Sequence, residues 1–170
     1  MTRGPLVVRD VDVLQTGSRR VAVGVFVSIP TLDERVWRTT EPGTAAPRSR
    51  LEAVRRLAED GMDVGVGIAP ILPGLSDSPE QLAETVRAAR AAGARSIWAS
   101  AVHLRPGVRE HFLEALARDW PEEVAHTRRS SPGGRISRPV ARSLTHPVRA
   151  AASSTQRRDA PARPAASPSS

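Results

Sequence analysis

Three short apolar segments recur along the first hundred residues, separated by stretches with helical periodicity. The segments VAVGVFVS (21–28), MDVGVGIAP (62–70) and, more weakly, ARSIWASAV (94–102) show no polar alternation and are bounded by glycine or proline. Such runs are typical of strands that are buried on both faces of a parallel sheet. The sequence therefore predicts three strands, and it predicts that the first of them is central in the sheet.

Helix signals lie between and after these strands. Thr31 and Glu34 form a T-x-x-E capping box. Ser78 and Pro79 predict the start of a later helix, with Gln81 as the reciprocal acceptor. Apolar stripes at helical spacing predict the buried faces of three helices, the first two of which end at Gly61 and Gly93. These stripes consist of Leu51, Val54, Leu57 and Ala58; of Leu82, Val86 and Ala89; and of Val108, Phe112, Leu113 and Leu116.

The alternation of strands and helices predicts an α/β fold with parallel strands joined by right-handed crossovers. Part of a barrel and a flavodoxin-like open sheet both agree with this periodicity. In either arrangement, ligands bind at the carboxyl ends of the strands. The segments expected at that edge are residues 28–30, 70–77 and 102–107.

Composition excludes several kinds of chemistry. The chain contains no cysteine, so it cannot supply a disulfide, a thiolate zinc site, a cysteine nucleophile or the ligands of a conventional iron–sulfur cluster. Its four histidines are not spaced as a metal set. No apolar run approaches about 18 residues and no signal pattern opens the chain, so we expect a cytoplasmic protein without a membrane partner.

The positive charge is concentrated in the last part of the chain. The net charge is +7, but residues 127–170 hold nine arginines and one aspartate, so the preceding residues together carry −1. After about residue 124 the sequence consists mainly of Ser, Pro, Arg, Ala and Gly without apolar periodicity. We therefore expect a disordered tail over 125–170, with weak and nonspecific nucleic-acid binding at most.

Three segments taken together resemble a known enzyme family. They are TRGPLVVRDVDVL (2–14), the long segment 27–77 with its E-P-G-T, I-A-P-I and P-G-L-x-D elements, and HLRPGVREHFLEAL (103–116). In order and spacing they are similar to radical S-adenosylmethionine (SAM) proteins of the spore photoproduct lyase type, also described as DNA repair photolyase-like. The resemblance covers nearly all of residues 1–122.

The resemblance implies a partial (β/α)6 TIM-type barrel, in which SAM lies across the strand ends beside a [4Fe–4S] cluster. Residues 1–124 would form the last three β/α units of that barrel. Ser28 matches a strand-end serine that contacts SAM. Arg3 stands where the family usually has a lysine that approaches the SAM carboxylate.

Two further elements carry over from the family. Pro70, Leu72, Gly74 and Asp77 lie in a stretch that resembles the loose G-x-I-x-G-x-x-E element, whose apolar residue packs on adenine and whose glycine allows close approach of the backbone. Pro70 replaces the first glycine of that element, and Asp77 replaces its glutamate. The family's E-P-G-T segment and its following basic residue match Glu41 and Arg48, which we expect at the mouth of the site.

The chain departs from the family in the residues that the radical reaction requires. The chain lacks the C-x-x-x-C-x-x-C motif that would hold the cluster, and it has no tyrosine or cysteine to relay a hydrogen atom. We assign no catalytic or metal-ligating residue and expect the isolated chain to be inactive. It would be a fragment of a radical SAM enzyme, one half of a split enzyme completed by a missing N-terminal half, or a cluster-free module that binds a nucleotide or a partner. DNA is a possible partner of the parent enzyme by resemblance.

Overall fold

The computed structural model describes residues 1–105, 107–125 and 127, and within them the chain forms a mixed α/β fold around a three-stranded parallel sheet. The tail predicted over 125–170 lies outside the described residues, apart from positions 125 and 127. The elements are a 3-10 helix Pro5–Asp10, α1 Val11–Ser18, β1 Gly24–Ser28, α2 Glu34–Thr40, α3 Pro47–Glu59, β2 Asp63–Ile71, α4 Pro79–Ala91, β3 Ser96–Ala101, α5 Val108–Asp119 and a 3-10 turn Pro121–Glu123.

The three predicted strands are confirmed, but the prediction that the first is central is wrong. The strand order is β1-β2-β3, so β2 is the middle strand. Apart from its pairing with β2, β1 has one isolated parallel bridge, between Val27 and Thr2. The strand also begins later than expected, at Gly24, since Val21 is 64% exposed. An apolar run signals burial, but it does not reveal which strands are its neighbours.

The helix boundaries follow local signals, with one correction. Helix α2 is capped by Asp33, whose Oδ1 accepts from the backbone N–H of Val36 at 2.9 Å. Thr31 is therefore not the N-cap. Its Oγ1 instead accepts a bond from the N–H of Asp33 at 3.0 Å, because a hydroxyl two residues before a backbone N–H closes a tight local turn. The predicted cap of α4 is confirmed, since Ser78 Oγ accepts from the N–H of Gln81.

The ends of α3 and α4 also follow prediction. Gly61 and Gly93 directly follow the capping residues of these helices and adopt φ values of 78° and 94°. This left-handed backbone strongly favours glycine, because a Cβ would crowd the neighbouring carbonyl. At Gly93 space is limiting as well, since an added Cβ would stand 2.7 Å from the Cβ of Ala58.

The main core lies on one face of the sheet. Alternate side chains of the strands pack there against α3, α4 and the N-terminal helices. The predicted stripes of α3 and α4 contribute to this core as expected. Its most deeply buried members are Val27, Ile29, Val54, Leu57, Val64, Val66, Ile68 and Ala89.

The opposite face of the sheet carries small residues beneath two aromatic rings. The ring of Phe26 crosses Gly65, where an added Cβ would stand 2.6 Å from ring carbon Cε1. Trp98 and the side chain of Met1 lie less closely over Gly67, where an added Cβ would be in ordinary contact with both at 3.6 Å. Trp98 remains 43% exposed. Within the described residues, this face thus lacks the helical cover of the other.

Three elements differ from expectation. The N-terminal 3-10 helix and α1 were not predicted, although Val7, Val8, Val11 and Leu14 pack against the main core at helical spacing. Helix α5 forms as predicted but does not join that core, and Val108 of its predicted stripe is exposed. The other apolar residues of its stripe join residues from α2, the loop after β2 and the segment after α5 in a second cluster. This cluster consists of Val36, Leu72, Leu75, Phe112, Leu113, Leu116, Trp120 and Val124.

Candidate functional site

A cleft of about 390 Å³ opens at the carboxyl ends of the three strands. Pro30 follows β1, Pro70 lies near the end of β2, and Val102 follows β3; all three line the cleft. Because the strands are parallel, their carboxyl ends meet at one edge, as the sequence predicted. The volume falls within the range of about 300 to 1,000 Å³ that is usual for small-molecule sites.

Helix α5 and the second cluster form the apolar wall of this cleft. Leu72 and Leu75 approach from the loop after β2, while Phe112, Leu116 and Trp120 approach from α5 and its end. The guanidinium of Arg35 stacks on Trp120, 5.5 Å from the ring centroid, and helps to hold that ring in place. The wall therefore offers a largely apolar and partly aromatic surface to a ligand.

Four charged side chains of arginine, aspartate and glutamate also line the cleft. They form two pairs of opposite charge, Arg3 with Glu41 and Arg118 with Asp119. Arg118 donates two hydrogen bonds of 2.9 Å to the Asp119 carboxylate, and these bonds hold the pKa of Asp119 below its usual value. Both pairs bring opposite charges together, so the lining of the cleft has little net charge.

Arg50 lies behind this lining and is completely buried. Its Nε donates to the carbonyl of Ala45 at 2.8 Å, and its Nη1 donates to the carbonyl of Ser28 at 2.9 Å. Its Nη2 donates to Glu41 Oε2 and to Thr44 Oγ1, both at 2.7 Å. One guanidinium thus joins the end of β1 to the turn after α2 and fixes the orientation of the Glu41 carboxylate.

The second carboxylate oxygen of Glu41 is in a different situation. The side chain is only 11% exposed, and within the described residues Oε1 is buried without a hydrogen bond. Arg3 Nε stands 3.2 Å from Oε1, which is ion-pair distance without hydrogen-bond alignment. Arg3 itself is 54% exposed, so solvent weakens this pair. Glu41 therefore brings an acceptor with unused hydrogen-bonding capacity to the cleft.

The structure brings together four of the eight predicted site residues: Arg3, Glu41, Pro70 and Leu72 all line the cleft. It does not bring Arg48 there. Arg48 is exposed and borders a shallow depression between the N-terminal 3-10 helix and α3. The basic residue that meets Glu41 is Arg50, because a helical shift of two residues turns the side chain toward the opposite side.

The other three predicted residues serve the fold. Ser28 is buried, and its Oγ donates to the carbonyl of Ala69 at 3.2 Å across the sheet. Asp77 Oδ1 accepts from the backbone N–H of Gly74 at 2.9 Å and closes the loop after β2. Gly74 does allow a close approach, but the approaching group is the chain itself: an added Cβ would stand 3.0 Å from Thr127 Oγ1.

Sequence reasoning missed several residues of the site. Arg50 is one of 25 basic residues, all arginine, and no local signal separates it from its neighbours. Asp119 and Trp120 fall at the end of a predicted helix, where they read as part of its termination. Only the position of α5 over the strand ends brings them to the cleft.

Two possible kinds of site lack support in the described residues. No group of three or more His, Asp or Glu side chains there is arranged to hold a metal ion. No helix in the same part of the chain is long and apolar enough to cross a bilayer.

Comparison with known proteins gives relatives of undefined function. The chain is 36% identical over 128 residues to uncharacterized proteins of Mycobacterium tuberculosis (strain H37Rv) and Mycobacterium bovis (strain AF2122/97). It is 33% identical over 118 residues to the uncharacterized protein ORF301 of Acidianus two-tailed virus. The matches cover 75% and 68% of this chain, respectively, but only 38% of each relative, so the chain spans about two fifths of their length. No family model and no solved structure matches the chain.

Proposed function

We propose that the chain provides the later β/α units of a barrel enzyme of the radical SAM superfamily, similar to spore photoproduct lyase. The observation that carries the proposal is the meeting of separate motifs in one cleft. Arg3, Glu41 and the pair Pro70 and Leu72 come from three motifs spread over about seventy residues, and all line the strand-end cleft. Ligand sites of parallel α/β folds lie at this edge.

The sheet supports the barrel part of the proposal. A sector of a β/α barrel has helices on its outer face and tightly packed side chains on its inner face. In this chain the helices pack on one face, and the other carries small residues under Phe26 and Trp98. The parallel bridge from Thr2 to Val27 extends the sheet beyond β1 in the direction a further strand would take. The greater length of the relatives leaves room for further β/α units.

The cleft suits part of SAM. Arg3 would pair with the carboxylate of its amino-acid end, and Leu72 with the apolar wall would receive its adenine. The roles that the resemblance gives to Ser28, Gly74 and Asp77 are less well supported, because these residues already bond or pack within the fold.

The [4Fe–4S] cluster does not fit this chain. Each iron of such a cluster that the protein binds needs a thiolate, and the 170 residues include no cysteine. The chain therefore contributes binding surface but not the electron source, and cleavage of SAM would require cysteines from another polypeptide segment. The cluster-free alternative, a module that binds a nucleotide or a partner, rests on the same cleft without that segment.

Titration calorimetry of the full chain with SAM tests the proposal. We expect measurable binding that Arg3→Ala weakens about 10-fold, the scale of one charge-assisted hydrogen bond. Arg38→Ala is the matched control, because Arg38 pairs with Glu34 on the exposed side of α2 and does not line the cleft. Absence of SAM binding to the wild-type chain would overturn the proposal.

Anaerobic reconstitution with iron and sulfide tests the interpretation of the cluster. A stable cluster absorbing visible light in the isolated chain would contradict it. If SAM binds and no cluster forms, the chain is the SAM-binding part of a larger assembly, as proposed.

A further inference from the structure

The structure assigns the cleft a second property, which does not depend on SAM. We propose that it binds small molecules with an apolar, planar body and a neutral hydrogen-bond donor, and that Glu41 Oε1 accepts that donor. The inference rests on one buried atom, the way it is held, and the charges around it.

The buried atom is an unsatisfied acceptor. Carboxylate oxygens withdrawn from water normally accept hydrogen bonds, since burying one without a partner costs free energy. Oε1 is buried and has no such bond within the described residues. A ligand that donated to it would recover interaction that the free protein leaves unused, so affinity should depend strongly on the donor.

Arg50 keeps this acceptor in place. A free carboxylate would rotate to satisfy both oxygens, but Oε2 is held at 2.7 Å by a guanidinium that is itself bonded to the carbonyls of Ser28 and Ala45. Because the second oxygen is fixed by the fold, the orientation of Oε1 is preorganised. Arg50 is thus a positioning residue, which acts through Glu41.

At Oε1 itself, as distinct from the exposed Arg3 guanidinium that would pair with the SAM carboxylate, the surrounding charges favour a neutral donor over an ion. A ligand ammonium at Oε1 would face Arg3 in front and Arg50 behind, and a ligand carboxylate would face Glu41 itself. The other carboxylate that lines the cleft, Asp119, is already paired with Arg118. A hydroxyl or an amide N–H avoids both repulsions and needs only to displace the exposed Arg3 side chain.

The apolar wall defines the rest of the ligand. Leu72, Phe112 and Trp120 line the same cleft as these charged groups. A flat aromatic body can pack against such side chains, and the volume of about 390 Å³ accommodates a bicyclic ring.

Two probes isolate the donor. 1-Naphthalenemethanol and its methyl ether share the ring and the oxygen, but only the alcohol has an O–H. In ligand-observed NMR titrations of the full chain, the alcohol should bind about 5- to 100-fold more tightly than the ether. This is the range expected when the ether leaves a buried acceptor unpaired. Equal affinities, tighter binding of the ether, or no binding of either probe would overturn the inference.

Substitutions at the site sharpen the test. Arg3→Ala should increase alcohol affinity and leave ether affinity unchanged, because it uncovers Oε1; Arg38→Ala should change neither. In Glu41→Gln, the amide oxygen should stay on Arg50 and the NH2 group should take the position of Oε1. Because the oxygen of either probe can accept from this NH2 group, the preference for the alcohol should be lost. If the alcohol stays preferred in this variant, the inference is wrong. If Glu41→Gln does not fold, Arg3→Ala decides alone.

The Arg3→Ala variant distinguishes this inference from the proposed function. Arg3→Ala should weaken SAM, which uses the guanidinium, and strengthen the alcohol, which must displace it. Loss of SAM binding with retained alcohol selectivity would overturn the first proposal and support the second.

Discussion

Replacement of Arg50 by methionine is the most informative single perturbation of this protein. Methionine retains the length and apolar character of the arginine stem, so the change removes the guanidinium and leaves only a small cavity. Four hydrogen bonds are lost, one of them to the buried carboxylate of Glu41. That carboxylate would then remain 89% buried, next to Arg3 alone.

The magnitude follows from this burial. Removing one partner of a buried ion pair costs about 3 to 5 kcal/mol, because the other charge stays buried without compensation. Domains unfold with free energies of about 5 to 15 kcal/mol, so the loss should be a large part of the total. Arg50→Lys should fall between wild type and Arg50→Met, since an ammonium keeps the charge but cannot bond in all these directions at once.

Urea unfolding followed by far-UV circular dichroism and tryptophan fluorescence measures the effect. Arg48→Met is the matched control, because it makes the same change two residues earlier at an exposed position and should alter stability by no more than about 0.5 kcal/mol. If Arg50→Met lowered the free energy of unfolding no more than Arg48→Met does, the assigned role of Arg50 would be wrong.

Two further predictions concern α3 and its surroundings. Gly61→Ala should lower the free energy of unfolding by about 1 to 2 kcal/mol through its positive φ alone, since nothing lies near an added Cβ. Gly93→Ala should lower it by about 1 to 3 kcal/mol more, because its Cβ would overlap that of Ala58. Equal losses in urea unfolding would contradict this difference. Hydrogen bonds from Arg55 and then Arg56 lower the pKa of Glu52 from 4.5 to about 2, so its contribution to stability is present above pH 4.5 and is lost as the pH falls toward 2. Acid unfolding of Glu52→Gln should show a smaller dependence on pH over this window, with added salt reducing the difference; an unchanged slope would refute the assignment.

Local elements of this fold could be predicted from the sequence with good accuracy. The three strands, the cap at Ser78 and the glycines that end α3 and α4 were all correct, because each depends on residues within about one helical turn. The N-cap of α2 was predicted wrongly although it also depends on nearby residues. Thr31 and Asp33 both have side chains suited to cap this helix, and Asp33 is the one that does so.

The candidate site was only partly accessible from the sequence. Its position at the carboxyl ends of the strands follows from their parallel direction, and so do the contributions of Pro70 and Leu72. Arg48 was expected at the mouth of the site, but Arg50 is the arginine of α3 that meets Glu41, since the direction in which each side chain leaves the helix decides this.

The sequence by itself determined the kinds of elements, their order and the absence of thiolate chemistry, because periodicity, capping residues and composition act over short distances. The tertiary structure decided that β2 is central, that α5 lies over the strand ends and not in the main core, and that Arg50 joins Ser28 to Glu41. These features depend on contacts between residues far apart in the chain. The same contacts bury Oε1 of Glu41 and leave it without a hydrogen bond within the described residues.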